Sequence, residues 1–204
     1  MIIERIVSGP LYANCYFVSD DTENEWVLID APYPDDKLIA YATELGDKLK
    51  YIILTHCHYD HIAAAQRIKA VTGAKIVIHT DDEKGLLDSS ISLSRYLSGE
   101  DLSFEPDETL TDKQQIQCGE LTFTVMHTPG HTSGSCCFIC DAVIFSGDTL
   151  FAGSMGRIDF PTGDARQMRA SLKALSDLDG DYTVYPGHYE KTTLADERKT
   201  NPYM

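Results

Sequence analysis

Apolar and polar positions along this chain alternate with two different periods, and the switches between them mark out its elements. Ile2 to Val7, Asn14 to Val18 and Trp26 to Asp30 are short runs rich in branched and aromatic residues. Turn residues at Gly9-Pro10 and Asp20-Asp21 separate them, so they read as three strands. Asp35 to Leu45 reads as a helix, with Asp35 or Asp36 near its start and Gly46 at its end. Tyr51 to Leu54 is a short buried strand. Helical spacing returns from Ala63 to Val71, with Ala64, Ile68 and Val71 on the apolar face and Gly73 closing it. Lys75 to His79 is another strand, followed by a helical stretch from about Asp82. Residues 88 to 112 follow neither period, and so long a loop in a compact domain commonly serves as a lid or binding segment.

Beyond that stretch come strands at Gln114 to Gln117, Leu121 to Met126, Ser135 to Ile139 and Ala142 to Ser146. A helix near Asp164 to Leu175 precedes a strand at Thr183 to Tyr185, and Leu194 to Lys199 forms a closing helix. The halves rhyme: Tyr51 to His56 and Tyr182 to His188 each place a histidine just past a short strand. The order predicts an α+β fold of two sheets packed face to face with helices outside. Loops at the strand ends would then converge on one edge, where sites are built. No linker or low-complexity tract divides the chain, so residues 1–204 are read as one domain.

The densest chemistry follows the strand Tyr51 to Leu54. Thr55-His56-Cys57-His58-Tyr59-Asp60-His61 puts three imidazoles and a carboxylate in six consecutive positions from His56. A surface loop has no structural need for them, and a buried one could not satisfy so many ring nitrogens without a metal. If the segment is extended, His56, His58 and Asp60 share one face while His61 begins to turn toward the other. Three further segments repeat one grammar of strand, glycine and potential ligand: Thr128-Pro129-Gly130-His131, Ser146-Gly147-Asp148 and Pro186-Gly187-His188. Together they complete a coordination count. His56, His58 and His131 would hold one metal, Asp60, His61 and His188 the other, and Asp148 would bridge the two.

These residues resemble the metallo-β-lactamase superfamily, whose signature is H-x-H-x-D-H followed by a distal His, a bridging Asp and a final His. The resemblance implies a four-layer αββα sandwich with a dinuclear site at one edge of the paired sheets. A narrower likeness is to glyoxalase II-like hydrolases and related persulfide dioxygenases. It rests on Thr128 to Ser135, Phe145 to Phe151, Gly156 to Asp164 and Glu197 to Pro202. Beta-lactamases proper match less well, because several carry a cysteine at the position of Asp148. Longer glyoxalase II enzymes add a helical C-terminal domain that binds glutathione, and this sequence corresponds to the compact form without it.

The resemblance implies hydrolysis of a small-molecule thioester, hydroxyacyl-glutathione-like, by a metal-bridging hydroxide, with Asp60 as the catalytic residue that also orients the nucleophile. Two divalent ions are expected, zinc first, with iron or manganese as alternatives that the same donors accept. The rival reading is persulfide oxidation at a single iron held by His56, His131 and Asp148. A scaffold without catalysis is disfavoured because all seven ligand positions are intact. Arg157 and Tyr189 are the candidate substrate contacts, although Arg157 could equally form an internal ion pair with Asp159 or Asp164.

Charge and composition narrow the partners. Lys+Arg of 17 against Asp+Glu of 32 gives a net charge of -15, which repels nucleic acid and anionic membranes. The N-terminus lacks the apolar core of a signal peptide and no run reaches transmembrane length, so a cytoplasmic location is expected. The six cysteines then read as reduced thiols. Cys57 is assigned to packing or to support behind the ligands, and Cys137 and Cys140 to the core. His79 and His127 are left outside the site. Oligomeric state is not readable from the sequence.

Overall fold

A strand that carries apolar side chains on both faces must be covered on both faces, and this requirement organises the molecule into four layers. The computed structural model describes residues 1–204. One sheet holds β1 (Ile2–Ser8), β2 (Ala13–Ser19), β3 (Trp26–Ile29), β4 (Leu49–Ile53), β5 (Lys75–His79) and β6 (Glu108–Leu110), in that spatial order. Its first three strands are antiparallel, and the pairs from β3 to β6 are parallel.

The second sheet is built from β7 (Gln115–Cys118), β8 (Leu121–His127), β9 (Cys136–Cys140) and β10 (Val143–Gly147). A separate hairpin of β11 (Leu150–Phe151) and β12 (Ser154–Met155) follows, and β13 (Thr183–Pro186) and β14 (Thr192–Thr193) then complete that sheet. Its spatial order is β14-β13-β10-β9-β8-β7, with only β10 and β13 parallel.

Parallel neighbours need crossovers, which helices supply. These are α1 (Asp36–Leu45), α2 (Tyr59–Ile62), α3 (Ala65–Thr72), α4 (Glu83–Leu87), α5 (Ser94–Ser98) and α6 (Ala165–Ser176), while α7 (Leu194–Thr200) follows the last strand. Asp35 caps α1 by accepting from the Leu38 amide at 2.9 Å, and Asp164 caps α6 by accepting from Arg166 and Gln167.

Three apolar cores mark the layer boundaries. Phe17, Leu28 and Ile52 point outward to Leu38, Ala42 and Ile68 of α1 and α3. Their neighbours Tyr16, Val18, Ile29 and Ile53 point inward and meet Phe123, Phe138 and Phe145 of the second sheet. On the far side of that sheet, Cys137, Ile144 and Val184 pack against Met168, Leu172 and Leu175 of α6. The αββα sandwich read from the sequence is therefore the observed architecture. Cys137 lies in the outer core whereas Cys136 and Cys140 lie in the inner one, so the two ends of the C-x-x-C spacing sit on opposite faces. All six cysteines are free and buried, and burial raises the Cys137 and Cys140 thiols to about 11.

Two local readings change. The helix placed at Ala63 to Val71 is α3, and a separate short helix, α2, precedes it at Tyr59–Ile62. The α3 face buries Ala65, Ile68 and Thr72, and Val71 is exposed. The Thr72 hydroxyl enters the interior because it donates back to the Ile68 carbonyl at 2.8 Å. Residues 88 to 112 are not a featureless loop: they contain α5 and then β6, which pairs with β5 at the sheet edge.

Candidate metal centre

All seven predicted ligand side chains arrive at one end of the sandwich, each from just past the C-terminal end of a strand: β4, β8, β10 or β13. The segment after β4 is not extended throughout, as the alternation argument assumed. It turns at His58, the N-cap of α2, so Asp60 and His61 are successive residues of a helical turn. Successive helical side chains diverge by about 100°, and these two reach the same cluster from different sides.

His56, His58 and His131 offer ligand atoms within 4.8 Å of one another, as do Asp60, His61 and His188. Asp148 lies between the two groups. Its Oδ2 is 3.5 Å from His131 Nε2 and 3.6 Å from His188 Nε2, and its Oδ1 is 3.4 Å from His61 Nε2. Asp60 Oδ2 lies 3.3 Å from His188 Nε2 and 3.7 Å from His61 Nε2.

Neighbouring groups fix the ring orientations. His131 Nδ1 donates to the Arg157 carbonyl at 2.6 Å, which leaves Nε2 as its lone-pair atom. The Thr55 hydroxyl donates to Asp30 at 2.8 Å and therefore accepts from His56 Nδ1, leaving His56 Nε2 free. His61 Nδ1 donates to Asp30 Oδ2 at 2.9 Å and turns its Nε2 to the cluster. His56 Nε2, His58 Nε2 and Asp148 Oδ1 are buried without a hydrogen-bond partner. Orphaned buried polar atoms are costly, and a divalent cation bound to imidazole and carboxylate donors relieves that cost. The residues fit such a cation.

The two clusters differ electrostatically. Burial and the neighbouring imidazoles drive His56 and His58 well below the usual histidine range, so they stand as neutral donors. Burial opposes protonation of His61 as well, but Asp148, Asp60 and Asp30 outweigh it and push His61 up to about 10. Asp60 is likewise held ionised against burial by His61 and His188.

Several supporting residues were not read from the sequence. Asp30 accepts from the Thr55 amide and hydroxyl and from His61, and it holds φ of 60°, a strained conformation for a residue with a side chain. Its signal was partial, because it follows the Trp26 strand directly but without the glycine that marks the His131, Asp148 and His188 segments. Asp82 accepts from the Cys57 amide at 2.9 Å, the Thr132 hydroxyl at 2.7 Å and the Gly134 amide at 2.6 Å. It thereby clamps the loop after β4 to the loop after β8. Gly187 is required because a Cβ there would collide with Asp148 Oδ1 and His61. Removing an outer partner of a metal-bound histidine weakens affinity about 10- to 100-fold. Asp30→Asn is expected to do so in a competitive chelator titration, and unchanged affinity would show that His61 is held by other contacts.

A cleft of about 790 Å³ opens over this centre, and both predicted substrate contacts line it. Arg157 takes the alternative role: its Nε and Nη2 donate to Asp159 at 2.9 and 2.7 Å, and its guanidinium stacks 4.0 Å from the Phe160 ring centre. Tyr189 stands exposed on the wall in left-handed conformation, with φ of 68°. His79, Asp81 and His127 form a further group of potential donors. The two rings stack at 4.0 Å and 13°, so their lone pairs lie in nearly parallel planes and do not converge on one ion.

The far wall depends on a buried anchor. Glu197 accepts from the Gly153 amide at 2.8 Å, the Thr192 hydroxyl at 2.6 Å and Asn201 Nδ2 at 2.8 Å. Asn201 also donates to the Ser154 carbonyl at 3.0 Å. Together they hold the β11–β12 hairpin against the cleft. Glu197→Ala is expected to destabilise the fold by about 1–3 kcal/mol and to raise KM while metal content is retained, as steady-state kinetics and elemental analysis would check.

Residues 8–188 match the metallo-beta-lactamase superfamily. The hydroxyacylglutathione hydrolase GloC of Haemophilus influenzae is 33% identical, over 100% of this chain and 98% of its own. Among solved structures, the B3 metallo-beta-lactamase BLEG-1 superposes with TM-score 0.91 at 32% identity, over 99% of both chains. TTHA1623 in a di-iron-bound form gives 0.86 at 33% identity, over 98% of this chain and 100% of its own. A lactamase thus stands beside a thioester hydrolase among the similar proteins, closer than the cysteine comparison alone led us to expect. No helix is long and apolar enough to cross a membrane. Fold, strand-end histidines and the match over 8–188 agree: this chain belongs to the metallo-beta-lactamase superfamily.

Proposed function

We propose that the chain is a metal-dependent hydrolase that cleaves a small-molecule thioester. The observation that carries this reading is Asp148, whose two oxygens face both histidine clusters at the floor of the open cleft. Two divalent cations bound there would supply Lewis-acid polarisation of a carbonyl and acidification of water. Zinc is the proposed metal, and the similarity to TTHA1623 in its di-iron-bound form makes iron the alternative. His56, His58 and His131 would hold one cation, Asp60, His61 and His188 the other, with Asp148 shared.

The protein's own contribution is positioning. Asp60, held ionised at the cleft floor, accepts a hydrogen bond from the attacking water and aims it. Phe160 stacks edge-on against His58 at 5.5 Å and shields that side of the floor. Water adds at the acyl carbon, the C–S bond breaks, and the leaving sulfur takes up the proton. Cys57 is fully buried in the outer core and is not positioned as a nucleophile. Similarity to GloC supports the thioester as the substrate class.

The second reading, cleavage of a β-lactam amide, is favoured by the similarity to BLEG-1. Metal-replete protein assayed in parallel on a hydroxyacyl thioester, a β-lactam and a persulfide with an oxygen electrode separates the readings. Oxygen-independent thiol release with two metals per chain is expected. Turnover of the β-lactam alone, or persulfide-dependent oxygen uptake with one iron, would overturn the proposal.

A further inference from the structure

The cleft is walled by Leu11, Leu93, Tyr96, Leu97, Phe151 and Tyr189. Four of these, Leu11, Tyr96, Leu97 and Tyr189, are among the ten large apolar or aromatic residues exposed on the whole surface. Tyr96 is 85% exposed and Tyr189 67%, which leaves their rings almost bare at the mouth of the cleft. Clustering of exposed apolar side chains on one rim marks a binding surface, whereas scattered ones need no explanation. Leu93 and Tyr189, both in the cleft lining, hold left-handed backbone, with φ of 63° and 68°. Strain at a cleft wall persists where the surroundings over-determine it.

The same rim is poor in available positive charge. Arg157 is the sole lysine or arginine of the lining, and both donors facing Asp159 are engaged by that carboxylate. Its flat face is covered by Phe160. Arg5, behind Tyr189, donates to Glu190 at 2.6 Å and to the Tyr189 carbonyl at 3.0 Å. The chain as a whole carries -15. Two divalent cations at the floor would more than offset Asp60 and Asp148 and attract an acyl oxygen there, whereas at the rim the only basic side chain is Arg157, paired with Asp159. Glutathione has two carboxylates and one ammonium, hence a net negative charge at neutral pH.

We infer that the thiol carrier of the substrate has an apolar or aromatic body and no net negative charge, and that Tyr96 and Leu97 of α5 with Tyr189 grip it. This rests on the thioester reading of the site and narrows it to carriers other than glutathione. The chemistry is unchanged: water replaces sulfur at the acyl carbon, and a neutral thiol leaves with the proton.

Two thioethers that cannot be hydrolysed test the assignment without turnover: S-benzyl-N-acetylcysteamine, which is neutral, and S-benzylglutathione, which is anionic. They share the benzyl group and differ in the carrier. Calorimetric titration into the full-length, metal-replete protein is expected to show the neutral compound binding at least about tenfold more tightly at low salt. Added salt should narrow that gap by screening the repulsion of the anionic compound. Tyr96→Ala/Leu97→Ala, two changes on an exposed helix, should weaken the neutral compound at least about tenfold with an unchanged circular dichroism spectrum. Equal or tighter binding of S-benzylglutathione, or affinity for the neutral compound that the double variant does not change, overturns the inference. Retained preference for the neutral compound in a protein that turns over no thioester would instead count against the hydrolase reading and leave the assignment of the rim standing.

Discussion

Asp148→Ala is expected to remove both metal equivalents and lower kcat/KM by about 10³-fold or more, whereas His58→Ala should empty one position before the other. The difference follows from geometry. His58 belongs to one cluster, with its Nδ1 2.8 Å from His131 Nε2. Asp148 faces His131, His61 and His188 together, within 3.4–3.6 Å. Its loss also removes the negative charge shared by both positions and leaves His61 with Asp60 and Asp30 alone. Metal content by elemental analysis after gel filtration, measured on both variants, checks the contrast. Two retained equivalents in Asp148→Ala would contradict the shared-ligand assignment.

Metal removal should lower thermal stability more than any surface substitution. Three carboxylates, Asp30, Asp60 and Asp148, surround His61, and three buried polar atoms lack partners. A ligand present at about 1,000 times its Kd stabilises the folded state by about 4 kcal/mol. For a chain of this size, that corresponds to a rise in Tm of about 8–16 °C. Thermal unfolding in chelator and then in excess zinc or iron measures the shift directly. A Tm that ignores both additions would mean that these side chains bind no ion in the folded protein. Cytoplasmic residence is a separate proposal, checked by fractionation of cells producing the full chain.

The long elements were legible because their periodicity is forced by burial. β2 and β3 alternate between two cores, and α1 and α6 carry Asp caps and amphipathic faces. Elements of a few residues were not. β11, β12 and β14 have two residues each, too few to show a period, and are defined only by their pairing, β11 with β12 across a tight turn and β14 with β13. That these seven side chains meet was legible because five of them are histidines, a rare residue, and each lies past a strand, yet their local geometry was misjudged. Periodicity cannot register that the chain turns at His58 into a single helical turn. Asp30 and Asp82 escaped for another reason. An aspartate at a strand end is common, and only the tertiary structure brings Asp82 to Thr132 and Gly134, fifty positions away or more.

The separation of wall from floor has a consequence for divergence. The floor is supplied by loops leaving both sheets and is locked from behind by Asp30 and Asp82, so nearly any change there disturbs a ligand. Much of the wall, Leu93, Tyr96, Leu97 and Phe151, is carried by α5, the residue before it and the β11–β12 hairpin, which belong to neither six-stranded sheet. Insertions or exchanges in those two segments can reshape what enters while every ligand stays in place. A chain built this way is free to drift in appetite while its chemistry stays fixed.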